Sequence, residues 1–174
     1  MNHTRHEGKV GSFTIMAIQV NLAALTIEAQ MPSALLPVIQ QLGHDLAEPV
    51  DRHGGKLLRG TAIPAIALWP STEPDERALD VVDDVLAVMR TAVWHDVADL
   101  RIALHHGQCI YRLYDGGYRD VFGDGVNRAF NLLEQVRRFD AWVVLDWRPK
   151  GSYARLTFLN HEDVFLVPKP VATL

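Results

Sequence analysis

Residues 12–20 read SFTIMAIQV, apolar and β-branched at nearly every position, which predicts a central strand buried on both faces. The period then changes. Leu35, Leu36, Ile39, Leu42, Leu46 and Val50 recur at three- and four-residue spacing, which predicts an amphipathic helix over 32–52. Prolines sit near its start, and His53-Gly54-Gly55 supplies the stop. Residues 56–59 and 62–69 predict a hairpin turning near Gly60. Ser71-Thr72-Glu73-Pro74 combines a cap, an acid and a proline, and predicts a helix over 75–94 with Leu79, Val82, Leu86 and Met89 on its inner face. Strands over 100–106 and 108–114 follow, then a tight turn at Asp115-Gly116-Gly117. A third helix over 122–139, a buried strand over 141–146 and a closing hairpin of 154–159 with 164–167 complete the pattern.

The order is β-α-β-β-α-β-β-α-β. Its first part is the split βαββαβ arrangement of ferredoxin-like folds, extended by a further strand, helix and strand. The fold class is therefore α+β: one mixed, largely antiparallel sheet with helices mostly on one face. A polar leader over 1–11 is expected to be flexible, and 12–174 to form one domain.

Composition narrows the function classes. The chain has 174 residues, 48% of them apolar, enough for a substantial core, and a net charge of −4. No basic stripe is present, so nucleic acid is not an expected partner. A single cysteine, Cys109, excludes an internal disulfide. No segment has the features of a signal peptide, and none reaches the roughly 18 apolar residues of a membrane helix. The expectation is a cytoplasmic protein with no membrane partner.

The most informative segment is Asp120-Val121-Phe122-Gly123-Asp124-Gly125-Val126-Asn127-Arg128-Ala129-Phe130-Asn131-Leu132. It resembles the Asp-x-x-Gly-x-x-Val-Asn-x-Ala-x-Arg-Leu signature of class III adenylate and guanylate cyclase catalytic domains. Other landmarks of that family follow in order. His53-Gly54-Gly55 matches the end of its first helix, and Ala103-Leu104-His105-His106-Gly107 matches its Gly-Ile-His-x-Gly strand. The resemblance spans about residues 12–146.

The resemblance implies a nucleotide site at a dimer interface. One chain supplies two aspartates that hold two divalent ions; the partner supplies an asparagine and an arginine that steadies the transferring phosphate. Here the metal positions hold Asn21 and Ile63. Magnesium takes hard oxygen ligands, so a neutral amide is a poor substitute and an isoleucine is none. Asn127 keeps the asparagine position, while Asn131 replaces the arginine. An arginine at such a site supplies about 10³–10⁵ in rate. The purine-selecting positions hold Arg59 and Asp120, of which Asp120 accepts from an adenine amino group. The resemblance therefore implies a catalytically inactive regulatory or nucleotide-binding module in signalling. It would form a homodimer, or a heterodimer with another cyclase-like chain, with a purine nucleotide as candidate ligand and no cofactor. The alternative is an active class III cyclase using ATP with magnesium or manganese at a non-standard site, recruiting Glu28 or Asp124. A third reading is a scaffold whose cleft is filled by side chains.

Plainer roles stand beside these. Asp120 and Asn127 suit a turn and a helix start, and Arg59 a solvated hairpin. His105 and His106 point to opposite faces of a strand, so they do not form a metal pair. Cys109 reads as a buried, inert thiol. Asp80, Asp83 and Asp84 read as the wet face of a helix. Gly116-Gly117 and Gly123-x-Gly125 lack a full phosphate-loop pattern. Tyr111, Tyr114, Tyr118 and Phe122 lie along the arm that reaches across to the partner in the family.

Overall fold

The computed structural model describes residues 8–22, 32–58, 64–91, 98–113, 119–153 and 155–169. The elements are β1 (Lys9–Leu22), α1 (Pro32–Arg52), β2 (Lys56–Leu57), β3 (Ala65–Pro70), α2 (Arg77–Met89), β4 (Ala98–Leu113), β5 (Arg119–Phe122), α3 (Asp124–Arg138), β6 (Ala141–Leu145), β7 (Leu159–His161) and β8 (Val164–Pro168). The strands form one 8-stranded sheet in the order β2-β3-β1-β4-β6-β8-β7, with β5 pairing to the far end of β4. Among the described residues β4 and β6 pair in parallel and the other pairings are antiparallel. The α+β class and mixed sheet read from the sequence are what the structure has.

Strand β1 is central because both of its faces are apolar. Met16, Ile18 and Val20 pack under α1 and α2, and Ile15 and Ala17 pack under α3. The described helices are thus divided two and one between the faces, and each face has its own core. Residues Leu42, Leu46 and Val50 of α1 join Leu79, Val82 and Leu86 of α2 on the first face. On the second, Val126, Ala129, Leu132, Leu133 and Val136 of α3 cover Ala103, Val144 and Leu166.

Several boundaries differ from the expectation. Lys9, Val10 and Gly11, assigned to a flexible leader, pair with Tyr111, Ile110 and Cys109, because β4 runs long enough to offer them partners. The two strands expected at 100–106 and 108–114 are one 16-residue strand. Gly107 does not interrupt it; the glycine makes room for its neighbour's ring, since a Cβ there would lie 2.4 Å from His105 Nε2. Phe122, expected inside the third helix, ends β5 and pairs with Ile110. The last hairpin is displaced: β7 starts at Leu159, where the predicted first strand ends. The hairpin after α1 forms, although its turn near Gly60 lies outside the described residues.

The stop of α1 has a packing function as well. Gly54 takes a left-handed φ of 72°, which glycine adopts without strain. Gly55 lets Trp69 approach so closely that a Cβ would lie 2.5 Å from the indole. The fully buried Trp69 donates its Nε1–H to the carbonyl of His53 at 3.1 Å. At the start of α2, Asp75 accepts from the Arg77 amide at 3.1 Å and receives its guanidinium, which holds the Asp75 carboxyl below its ordinary value. In the segment expected to start this helix, the Ser71 Oγ lies 3.3 Å from the Oγ1 of the buried Thr14.

Candidate functional site

Helix α3 begins against β4 by means of two glycines. Gly123 has φ 122° and ψ −175°, a region essentially reserved for glycine. Its carbonyl accepts from the Asn127 amide at 3.1 Å and opens the helix. A Cβ on Gly125 would lie 2.7 Å from the Gln108 carbonyl and 2.8 Å from Ile15 Cδ1. The Gly-x-Gly pattern therefore sets how closely α3 rests on the sheet. With the apolar side of α3 buried, Asn127 and Asn131 lie one turn apart on its exposed side. The Asn127 backbone serves the helix start, while its side chain faces solvent.

The other candidate positions lie elsewhere. Asn21 is half-buried near the end of β1, directly across from Asp99 on β4. Opposed residues of an antiparallel pair share a face, so these two side chains are neighbours. Asp99 is already engaged: Lys169 Nζ lies 2.9 Å from Oδ1, and Arg101 donates to Oδ2 at 2.8 Å. Partial burial pushes the Asp99 carboxyl up, but Lys169 and Arg101 outweigh it and leave it below its ordinary value. Lys169 also approaches Asp140 at 3.3 Å, and these carboxylates raise its own pKa. Among the described residues at this end of the sheet, an amide faces a carboxylate held by two cationic side chains. Among the described residues, no three His, Cys, Asp or Glu side chains form a group able to hold a metal ion.

Asp120 sits on β5 opposite Arg112, and its Oδ1 accepts from the Val121 amide at 2.9 Å. The thirteen steps of β4 from Asp99 to Arg112 span about 40 Å at roughly 3.3 Å per residue. One chain therefore keeps Asn21 and Asp120 far apart. Arg59, Ile63 and Glu28 lie outside the described residues, as do Tyr114, Tyr118, Gly116 and Gly117. Asp124 is exposed in the first turn of α3, where a negative charge favours the helix.

A cluster the sequence did not flag holds α3 to the sheet. His105 Nδ1 lies 2.7 Å from Asp146 Oδ2, and Arg128 Nε lies 3.5 Å from the same oxygen. As expected, the adjacent His106 points to the opposite face, where its Nδ1 approaches Thr14 Oγ1 at 3.5 Å. Cys109 is buried, and burial pushes its thiol up to about 11. Asp84, read as part of a wet helix face, is half-buried and bonded to His53 Nε2 at 2.9 Å and to Arg52 at 3.1 Å.

This architecture is that of known structures. A bacterial light-regulated adenylyl cyclase superposes with a TM-score of 0.72 at 13% identity, covering 97% of this chain and 56% of that one. The chain has the adenylyl/guanylyl cyclase catalytic-domain fold. The adenylyl cyclase CyaB from P. aeruginosa shares that fold at a TM-score of 0.66 and 15% identity, covering 97% of this chain and 99% of the other. The monomeric guanylyl cyclase domain of the RhoGC fusion protein from the aquatic fungus Blastocladiella emersonii gives 0.69 at 14% identity, over 92% and 97% of the two chains. The chain spans about half the length of the light-regulated cyclase and nearly the whole of the two isolated cyclase structures. No protein-family model and no curated protein matches the sequence. Among the described residues, no helix of this cyclase fold is long and apolar enough to cross a membrane.

Proposed function

We propose that this cyclase-fold chain is a catalytically silent module that pairs with a second cyclase-fold chain and acts in signalling through association or nucleotide binding. The observation that carries this reading is the environment of Asn21. The carboxylate directly across from it, Asp99, is held by Lys169 and Arg101. Transfer of a nucleotidyl group depends on positioning and on cations that neutralise the phosphates. An end of the sheet with an amide and an already neutralised carboxylate does not attract those cations. The exposed Asn131 amide adds no charge on the other half.

Pairing is supported by the separation of Asn21 from Asp120. On this reading the residues flanking a nucleotide come from two chains, since Asn21 and Asp120 lie at opposite ends of β4. The fungal guanylyl cyclase domain with this fold has been crystallised as a monomer and as a non-canonical dimer. Two chains of this protein, or this chain with a related one, would bring Asp120 and Asn127 of one copy toward the Asn21 end of the other.

The experiment combines native mass over a range of concentrations with thermal shift in ATP and GTP. A ligand at a hundred times its Kd adds about 2.7 kcal/mol to stability. The reading predicts a concentration-dependent dimer and a shift with a purine nucleotide that Asp120→Ala reduces. A monomer at all concentrations, unmoved by either nucleotide at millimolar levels, contradicts it.

A further inference from the structure

We propose that a groove on the α3 face of the sheet, at the opposite end of β1 from Asn21, binds a small flat organic anion: an aromatic body carrying a carboxylate, sulfonate or phosphate. The groove has a volume of about 340 Å³ and is lined by Phe13, Leu68, Pro70 and Tyr111, with Lys9 and Lys56 contributing the charge. That volume is at the low end of the roughly 300–1,000 Å³ typical of small-molecule pockets.

Strand register builds the site. Phe13 stands opposite Pro70, Lys9 opposite Tyr111, and Lys56 opposite Leu68, so β2, β3, β1 and β4 each contribute a side chain. Helix α3 packs on β1, β4 and β6. The groove lies beside it, over the β3 side of the same face, where Phe13 and Tyr111 flank the core.

The polar groups are what select an anion. The chain's other lysines are both satisfied: Lys150 holds Glu73 at 3.2 Å and Lys169 holds Asp99 at 2.9 Å. Lys9 and Lys56 have no carboxylate partner among the described residues, in a chain whose net charge is −4. Both are exposed, and both border this groove. An apolar floor with two aromatic rings favours a flat ring system, and two uncompensated ammonium groups favour negative charge at its edge. The groove is set apart from Asn21 and from Asp120. Phe13 is eight residues from Asn21 on β1, about 26 Å at roughly 3.3 Å per residue. Tyr111 alternates with Arg112, the register partner of Asp120, so the groove-facing and Asp120-bearing sides of the β4–β5 arm are opposite.

The test uses 1-anilinonaphthalene-8-sulfonate as the probe, titrated by fluorescence into the full chain. The result expected is a single saturable site. Its Kd rises at least tenfold in the Lys9→Gln/Lys56→Gln double variant, whose circular dichroism matches the parent because both side chains are exposed. The neutral analogue 1-anilinonaphthalene binds more weakly and with the same Kd in parent and variant, and the Leu68 methyl resonances shift on titration. Non-saturable binding, equal sulfonate affinity in parent and variant, or unmoved Leu68 methyls would overturn the proposal. So would affinity that disappears as protein concentration drives dimerisation, which would put a second copy on this face instead.

Discussion

His105 and Asp146 meet across the parallel strands β4 and β6, with Nδ1 2.7 Å from Oδ2. Arg128 of α3 reaches the same carboxylate oxygen at 3.5 Å. His105 and Asp146 are mostly shielded, with side-chain exposures of 17% and 16%. Removing the carboxylate leaves the half-buried imidazole without its partner and the exposed Arg128 guanidinium without a counter-ion. Asp146→Ala is expected to destabilise the fold by about 1–3 kcal/mol, the cost of orphaning partly buried polar groups. Urea unfolding with an unchanged m-value is the measurement. His105→Ala combined with Asp146→Ala should cost less than the sum of the two single changes, because the residues share one interaction.

Gly125 tests how α3 is seated. An alanine Cβ would press on the Gln108 carbonyl at 2.7 Å, a backbone atom that cannot swing aside. Gly125→Ala should cost about 1–3 kcal/mol as an overpacking strain. Gly55→Ala meets the buried Trp69 ring at 2.5 Å and should cost a similar amount. Thermal unfolding of the two variants and the parent compares them directly.

The Cys109 thiol is pushed by burial from its ordinary 9.0 up to about 11. At pH 8 it should react with a disulfide reagent far more slowly than the same thiol in denaturant. The sign of the linkage follows. Between these pH values the folded chain holds a proton that the unfolded chain has released, so stability falls as pH rises through that window. Cys109→Ala should remove this component of the alkaline loss.

Lys169 and Asp99 carry an ion pair whose pH dependence has the opposite sign. The folded Asp99 carboxyl lies below its ordinary 3.8, so the pair's contribution is present above that value and is lost as pH falls through the lower folded value. Asp99 and Lys169 are 35% and 28% exposed, so solvent screening keeps the contribution to about 0.5–1 kcal/mol. In Lys169→Met the Asp99 titration, followed by carboxyl NMR, should move upward, since the opposing effect of burial remains.

The long elements were legible in the sequence, and the reasons for its failures are physical. Periodicity exposed α1, α2 and α3 because each buries one broad stripe. It missed β5, four residues that pair with the far end of an unusually long β4. It broke β4 at Gly107 because a glycine within a strand normally marks an interruption, whereas here it accommodates the His105 ring. The spacing of Gly123 and Gly125 was visible, but not that it sets the approach of α3 to Gln108. Asn127 was legible as a helix-start residue, but not that it shares one exposed face with Asn131. The His105–Asp146 pair was not, since residues 41 apart meet only through sheet topology. The capture of Asp99 by Lys169 was equally hidden, because it depends on the strand order β4-β6-β8.

The most direct test of the central claim is a cyclase assay on the purified, unmodified chain with ATP or GTP and manganese. The account predicts no cyclic nucleotide above the protein-free control, because Asn21, Ile63 and Asn131 leave the phosphates and cations without their charged partners. Steady formation of cyclic AMP or cyclic GMP that disappears in Asn127→Ala would contradict it.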